Sequence, residues 1–163
     1  MASGAIDSVE ALVRWQHPTL GLIHPADFIP LLEQSGLIMD AGQWVLETAC
    51  RQLKAWQDQG SAIKHMCVNV SIKQLAQPAF ADSLLNTLNQ VGIAPGALCL
   101  ELTESMLMQQ PEANIQLLRE IRMTGVEIAL DDFGTGYSSL SYLRQLPLDV
   151  LKIDRSFVID MQN

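Results

Sequence analysis

Polar side chains recur at the ends of short apolar segments in this sequence. Carboxylate and amide oxygens, with no thiolate or imidazole beside them, form a hard-oxygen site that favours Mg²⁺, Mn²⁺ or Ca²⁺ over zinc or copper. Two adjacent acids could serve two ions with one carboxylate bridging, which suits phosphoryl transfer, and a lysine suits a phosphate or an attacking water. In chain order these residues are Glu10, Asn69, Glu101, the pair Asp131 and Asp132, and Lys152 with Asp154.

Each of these residues also has a simpler interpretation. A single acid at a strand end commonly caps a helix or faces solvent, and Asn69 could cap the helix that follows it. Lys152 could be an ordinary surface lysine. The recurrence of one polar group per successive strand end favours a shared site over these separate explanations.

Two hydrophobic periodicities alternate along the chain and predict the elements that position these side chains. The alternation predicts parallel strands with right-handed crossovers, whose carboxyl ends share one rim. The pattern leaves a doubly wound sheet and a (β/α)8 barrel open, and a full barrel takes about 250 residues. Predicted strands are Ala5–Val13, His65–Val70, Leu98–Leu102, Val126–Leu130 and Val150–Ile153; predicted helices run from Pro25 to Gly36, Asp40 to Gly60, Pro78 to Val91, Pro111 to Met123 and Ser138 to Leu146.

Composition narrows the class of protein. The 163 residues are 48% hydrophobic with a formal net charge of -8, which excludes a disordered chain and argues against binding of duplex nucleic acid. No apolar run approaches the roughly 20 residues of a membrane helix, and no signal peptide is visible. Three widely spaced cysteines, Cys50, Cys67 and Cys99, fit reduced thiols, so we expect a cytoplasmic protein whose parent could still be membrane-anchored.

A glycine-containing loop follows the fourth predicted strand. The segment from Asp131 to Leu140 reads DDFGTGYSSL, and its glycines, Gly134 and Gly136, let the backbone approach a ligand or a neighbouring chain closely. The chain has no dinucleotide-binding G-x-G-x-x-G and no P-loop. The alternative interpretation of this segment is a plain tight turn into the next helix, with no role in binding.

Six motifs together resemble the EAL-domain family, the bacterial phosphodiesterases of cyclic di-GMP. They occur in the family's order over essentially the whole chain. The resemblance implies an α/β fold, a TIM-like (β/α)8 barrel of the EAL type with about five of its eight strand–helix units here. It also implies hydrolysis of cyclic di-GMP to linear pGpG. The motifs are EALVRW from Glu10, PADFIPLLEQSGL from Pro25, Asn69-Val70-Ser71, Glu101-Leu102-Thr103-Glu104-Ser105, the Asp131–Leu140 loop and Leu151-Lys152-Ile153-Asp154.

The same resemblance implies roles for individual residues. It implies two ions, Mg²⁺ or Mn²⁺, with Ca²⁺ inhibitory. The implied metal ligands are Glu10, Asn69, Glu101, Asp131 and Asp132, with Asp131 bridging and Asp132 serving the second ion. The implied catalytic residues are Lys152, Asp132 and Glu10, the substrate contacts are Leu12, Arg14 and Asp154, and the loop-stabilising residues are Glu104, Gly134 and Gly136.

Family segments that are not found here set further expectations. A strand with a Gln-Pro pair normally precedes Glu10, and strands with an Ala-Glu-Gly-Val-Glu segment and a Gln-Gly-Tyr segment normally follow Asp154. We therefore expect residues 1–163 to be a partial EAL domain that is weak or inactive alone. We also expect a homodimer through the Asp131–Leu140 loop or exposed barrel edges, and sensory or GGDEF domains upstream are compatible with the family.

Two other functions stay open at this point. One is a non-catalytic cyclic di-GMP receptor or interaction scaffold, which the absent general base favours. The other is a Schiff-base aldolase that uses Lys152 as its nucleophile. The aldolase would not need Glu10, Asn69 or Glu101.

Overall fold

The computed structural model describes residues 6–108, 111–134 and 140–160. Helices and short strands alternate along this part of the chain, and a 3-10 turn at Pro95–Ala97 precedes β5. In chain order the elements are β1 (Ser8–Ala11), β2 (Trp15–His17), β3 (Gly21–Ile23), α1 (Pro25–Ser35), α2 (Ile38–Asp58), β4 (His65–Asn69), α3 (Ile72–Leu75), α4 (Phe80–Val91), β5 (Leu98–Thr103), α5 (Glu104–Leu107), α6 (Pro111–Met123), β6 (Glu127–Phe133), α7 (Leu140–Leu143), β7 (Val150–Ile153) and α8 (Arg155–Asp160).

Five strands form one parallel sheet in the order β1-β4-β5-β6-β7. The register pairs Asn69 with Glu101 and Thr103 with Asp131, so the carboxyl ends of the strands lie along one edge. Neighbouring strands of this sheet follow one another in chain order, with β2 and β3 forming a separate hairpin. This uninterrupted order is that of successive barrel strands, whereas a doubly wound sheet reverses its order at a switch point.

The two faces of the sheet differ in chemistry because side chains alternate along each strand. One face packs against the helices and contributes most of the core. The other face carries the polar residues, including Glu10, Glu101 and Asp131. Fully buried leucine and isoleucine side chains of this core are Leu53, Leu75, Leu84, Leu88, Leu98, Leu100, Leu102, Leu107, Leu118, Ile121, Ile128 and Leu130.

The predicted elements agree closely with the observed ones. All five predicted strands are present, although β1 is shorter than predicted and β6 extends to Phe133. The helix α1 ends at Gly36, whose φ of 80° lies in the left-handed region that glycine adopts without strain. The helix predicted from Ser138 to Leu146 is observed at Leu140–Leu143, so it ends three residues earlier than predicted; its predicted first residues lie outside the described residues.

The sequence pattern did not predict the β2–β3 hairpin. Its strands have three residues each, which is too short for a periodic signal. The turn is held locally, because the backbone N–H groups of Thr19 and Leu20 both donate to His17 Nδ1 at 3.2 Å. The hairpin begins only four residues after β1 ends, so Arg14 and Trp15 lie close to Glu10 in the sequence.

Candidate metal centre

Three carboxylates converge at the carboxyl ends of β1, β5 and β6. One oxygen from each of Glu10, Glu101 and Asp131 lies within 4.8 Å of the other two. The Lys152 Nζ on β7 lies 2.6 Å from Glu101 Oε1, 3.4 Å from Asp131 Oδ2 and 3.5 Å from Glu10 Oε2. The ammonium group therefore lies where the three negative charges meet, a position that favours a cation.

Glu101 is the most deeply buried of these acids. Its side chain is 0% exposed, and neither oxygen has a hydrogen-bond partner within the described ranges. Lys152 Nζ lies 2.6 Å from Glu101 Oε1 and forms an ion pair with it. Buried carboxylate oxygens are normally hydrogen-bonded or bound to a cation. Lys152 supplies that cation to Glu101 Oε1, whereas Glu101 Oε2 has no hydrogen-bond partner among the described residues and fits a ligand of a metal ion.

The protonation tendencies of the cluster follow from burial and charge. Burial raises the pKa of Glu101, and the nearby Lys152 ammonium opposes that rise. Burial alone would lower the pKa of Lys152, but its contact with Glu101 and the charges of Asp131 and Glu10 raise the pKa above its usual value. Lys152 consequently remains a cation at neutral pH.

Asn69 is part of the cluster and not a helix cap. Its Nδ2 donates to Glu10 Oε1 at 2.7 Å, which fixes the direction of the Glu10 carboxylate. The cap of α3 is Ser71, whose Oγ accepts from the Gln74 backbone N–H at 3.3 Å. The capping interpretation therefore applies to Ser71, two residues further along.

The β6 strand is irregular at the aspartate pair. The pairing of β6 with β7 shifts register between Leu130 and Phe133, and Asp132 has a φ of 54°. This left-handed conformation is uncommon outside glycine, although aspartate tolerates it better than most residues. The Asp132 backbone N–H donates to Asp131 Oδ1 at 2.9 Å. Burial and the adjacent Asp131 charge raise the pKa of Asp132, which stands beside the three-carboxylate group.

Glu104 connects α5 to the loop that follows β6. Its side chain is buried, and Glu104 Oε2 accepts a hydrogen bond from the Gly134 backbone N–H at 2.8 Å. Gly134 has a φ of 98°, and a Cβ there would lie 2.1 Å from the Phe157 ring. Glycine is therefore required at this position by both conformation and space. Gly136, predicted to share this role, lies outside the described residues.

The three residues predicted to contact substrate make local contacts. Asp154 Oδ1 accepts from the Ser156 backbone N–H at 2.9 Å near the start of α8, and bonding to Ser156 lowers the pKa of Asp154. Arg14 Nη1 donates to the Val13 carbonyl at 2.7 Å. Leu12 is largely exposed. The structure thus places Glu10, Asn69, Glu101, Asp131 and Lys152 in one connected group. Leu12, Arg14 and Asp154 are near members of this group in the sequence but take no part in the hydrogen bond and ion pairs that connect it.

One structural element of the site was not singled out from the sequence. Gln74 is buried and completes a capping box with Ser71, in which the Ser71 backbone N–H donates to Gln74 Oε1 at 3.0 Å. The S-x-x-Q spacing from Ser71 to Gln74 is the sequence signal that could have identified it.

The order of the strands and the carboxylate cluster at their carboxyl ends define a class of protein, an α/β-barrel protein with a carboxylate group that could hold a metal ion. The sequence model of the EAL domain matches residues 1–163, and the chain belongs to the EAL-domain family. Its fold is accordingly the TIM-like barrel of that family, of which the described residues form five adjoining parallel strands. No helix among the described residues is long and apolar enough to cross a membrane.

Three similar proteins show how the chain relates to longer ones. It is 46% identical over 159 residues to the bifunctional diguanylate cyclase/cyclic di-GMP phosphodiesterase MucR of Pseudomonas aeruginosa, covering 98% of this chain and 23% of MucR. It is 45% identical over 161 residues to the cyclic di-GMP phosphodiesterase NbdA of the same organism, covering 99% and 21%. A solved structure described as "PaMucR Phosphodiesterase, c-di-GMP complex" superposes with a TM-score of 0.91 at 46% identity, covering 98% of this chain and 65% of that one. The chain therefore spans less than a quarter of these two curated relatives.

Proposed function

We propose that this chain provides part of the active site of a phosphodiesterase that hydrolyses cyclic di-GMP to linear pGpG with Mg²⁺ or Mn²⁺. The observation that carries the proposal is the convergence of three carboxylates, one of them the fully buried Glu101, around the single ammonium group of Lys152. The names of MucR and NbdA, both cyclic di-GMP phosphodiesterases, support the same substrate.

The donor set fits a divalent ion with hard ligands. Carboxylate and amide oxygens are the ligands of Mg²⁺ and Mn²⁺. Lys152 occupies the point where the acids converge, and this supports a site for positive charge in the cluster. When bound, the ions supply Lewis-acid stabilisation of negative charge on the phosphodiester. The proposed ligands are Glu10, Asn69, Glu101 and Asp131 for one ion, and Asp131 with Asp132 for a second.

The protein side chains have distinct tasks in this proposal. Lys152 keeps its proton, so its Nζ can donate to a phosphate oxygen or orient the attacking water. The hydrogen bond from Asn69 holds Glu10 in a fixed direction. Arg14 can pair with a phosphate in the bidentate manner of a guanidinium group, and Leu12 offers an apolar contact.

Glu104 and Gly134 have a supporting task. The hydrogen bond between them fixes the residue two positions after Asp132, and this restricts the backbone that carries the aspartate pair. In the proposal this link keeps Asp131 and Asp132 aimed at the ions. Asp154 is proposed to contact substrate from its position between β7 and α8.

The wider organisation is also a proposal. We propose that residues 1–163 form part of a larger barrel, because β1 and β7 each have a free sheet edge among the described residues and the chain covers 65% of the solved MucR phosphodiesterase. Weak turnover by the chain alone follows from this. We further propose dimerisation through the 131–140 loop region or the sheet edges, a cytoplasmic location and signalling domains upstream.

Turnover of cyclic di-GMP to pGpG in Mn²⁺ tests the function, in this chain and in a longer protein that contains it. E10Q, E101Q and D131N should each lower turnover about 100-fold or more, because each removes a proposed ligand. The matched control is E127Q, since Glu127 is a carboxylate that pairs with Cys99 on the same face but lies outside the cluster. Binding of cyclic di-GMP with no hydrolysis by the longer protein would contradict the enzyme proposal and favour a receptor.

A further inference from the structure

A glycine lies inside the longest helix at a point where backbone conformation does not require it. Gly42 belongs to α2, and its φ is not in the left-handed region. Glycine weakens a helix relative to alanine, so its presence here calls for a packing reason. A Cβ on Gly42 would lie 1.9 Å from Gln74 Nε2 and 2.4 Å from Gln74 Cδ. The missing side chain therefore makes room for the carboxamide of Gln74.

The Gln74 carboxamide holds the backbone that follows Asn69. Gln74 Oε1 accepts from the Ser71 backbone N–H at 3.0 Å, and Ser71 Oγ accepts from the Gln74 backbone N–H at 3.3 Å. Both side chains are at least nine-tenths buried, at 7% and 8% exposure. The Val70 backbone N–H donates to the Glu101 carbonyl at 3.0 Å and joins the same segment to β5. Residues 70 and 71 are thus fixed from two sides.

We propose that Gln74, seated on Gly42, is a positioning residue for the cation site. It acts through Ser71 on the end of β4, so that Asn69 Nδ2 meets Glu10 Oε1 at 2.7 Å. Glu10 is thereby held within reach of Glu101 and Asp131 before any ion binds. This inference rests on the proposed function, because it assigns the purpose of the arrangement to binding of a divalent cation.

Substitution of Gly42 should leave the fold intact. A cavity of about 180 Å³ adjoins Gly42 and Gln74 and is also lined by Met39, Leu46 and Val70. The displaced carboxamide can turn into this space when a methyl group occupies its place. The expected consequence is loss of the capping box, with the sheet and the helices retained.

The test is Mn²⁺ affinity of the whole chain, measured by electron paramagnetic resonance of free Mn²⁺, for G42A, Q74A, the double variant and Q74E. G42A and Q74A should each weaken Mn²⁺ binding about 10-fold, the magnitude typical of residues that orient a metal ligand. The double variant should bind no more weakly than Q74A, because both changes remove the same contact. Q74E keeps an acceptor oxygen for the Ser71 N–H and should stay within about 3-fold of wild type.

Two controls separate positioning from general damage. G96A is a matched glycine substitution, since a Cβ there meets only Gly125 O at an ordinary 3.7 Å, and it should leave Mn²⁺ affinity unchanged. The NMR signals of the Asn69 side-chain amide, recorded without metal, should shift in G42A and Q74A and stay in place in G96A and Q74E.

The outcomes distinguish the two proposals. If wild type binds Mn²⁺, E101Q does not, and both G42A and Q74A bind as wild type with unshifted Asn69 signals, the positioning proposal is overturned and the metal site stands. If neither the wild-type chain nor a longer protein that contains it binds Mn²⁺, the proposed function fails. In that case unshifted Asn69 signals in G42A and Q74A still overturn the positioning role, and shifted signals support it.

Discussion

The two faces of the five-stranded sheet are built from alternating residues of the same strands but are organised by different forces. Leu100 and Leu130 face the helices and are 1% exposed, while their chain neighbours Glu101 and Asp131 converge with Glu10 on the opposite face. The apolar face gains stability from burial. The polar face gathers like charges that repel each other, and only Lys152 offsets them among the described residues. Stability and chemistry are thus separated by one residue step along each strand.

Truncation on the apolar face should have the largest effect. L100A removes a fully buried side chain from the core and should lower the free energy of unfolding by about 2–5 kcal/mol. Chemical denaturation measures this change, provided that the dependence of the unfolding free energy on denaturant concentration is the same in both proteins. L20A is the control, because Leu20 is 72% exposed and its truncation should change stability by about 0.5 kcal/mol or less. Equal losses in both variants would contradict the assignment of this face as the core.

Metal binding should stabilise the protein through the polar face alone. At an Mn²⁺ concentration about 100 times the dissociation constant, the free energy of unfolding should rise by about 2.7 kcal/mol for one site. Thermal denaturation with and without Mn²⁺ measures this shift. E101Q should abolish the shift and E127Q should preserve it. A shift of the same size in E101Q would place the ion elsewhere.

Removal of the Lys152 ammonium group from the polar face should destabilise the metal-free protein. K152M leaves three carboxylates facing one another with Glu101 buried, so we expect a loss of about 1–2 kcal/mol at neutral pH, reduced by the partial exposure of Lys152. The pKa of Lys152 is raised in the folded state, so its stabilisation is fully present below its unfolded pKa of about 10.4 and declines as the pH rises through the higher folded value. Denaturation curves at pH 7 without metal measure the loss, and unchanged stability would show that the ion pairs contribute nothing.

An ion pair on the outer surface of the helices should matter least. R51A removes the Arg51–Glu47 pair on α2, where Nη2 lies 2.8 Å from Oε2 and the arginine side chain is 66% exposed. Solvent screening limits such a pair to about 0.5 kcal/mol. The same denaturation assay checks it. A loss comparable to that of K152M would mean that surface and site charges are not energetically different.

Much of the site could be predicted because parallel strands align their carboxyl ends. Because each strand carries one polar residue near its carboxyl end, the sequence predicted that one rim holds Glu10, Asn69, Glu101, Asp131 and Lys152. The same periodicity predicted the five strands and the long helices. These features depend on local sequence and on a general rule of topology.

Other features depended on tertiary contacts that no local pattern contains. The left-handed Asp132 and the register shift beside it arise from the pairing of β6 with β7. The fit of Gln74 against Gly42 joins helices α3 and α2, which are separated by an entire strand. The three-residue strands of the hairpin gave no periodic signal, and the alternative cap role of Asn69 could be excluded only when Ser71 was seen to cap α3.

The most direct test of the central claim is conversion of cyclic di-GMP to pGpG by a protein containing this chain, followed with Mn²⁺ and with a chelator. We predict hydrolysis in Mn²⁺, loss of hydrolysis in the chelator, recovery when Mn²⁺ is restored, and no recovery in E101Q. Hydrolysis that persists in the chelator, or that is unaffected by E101Q, would contradict a metal-dependent site built on the converging carboxylates.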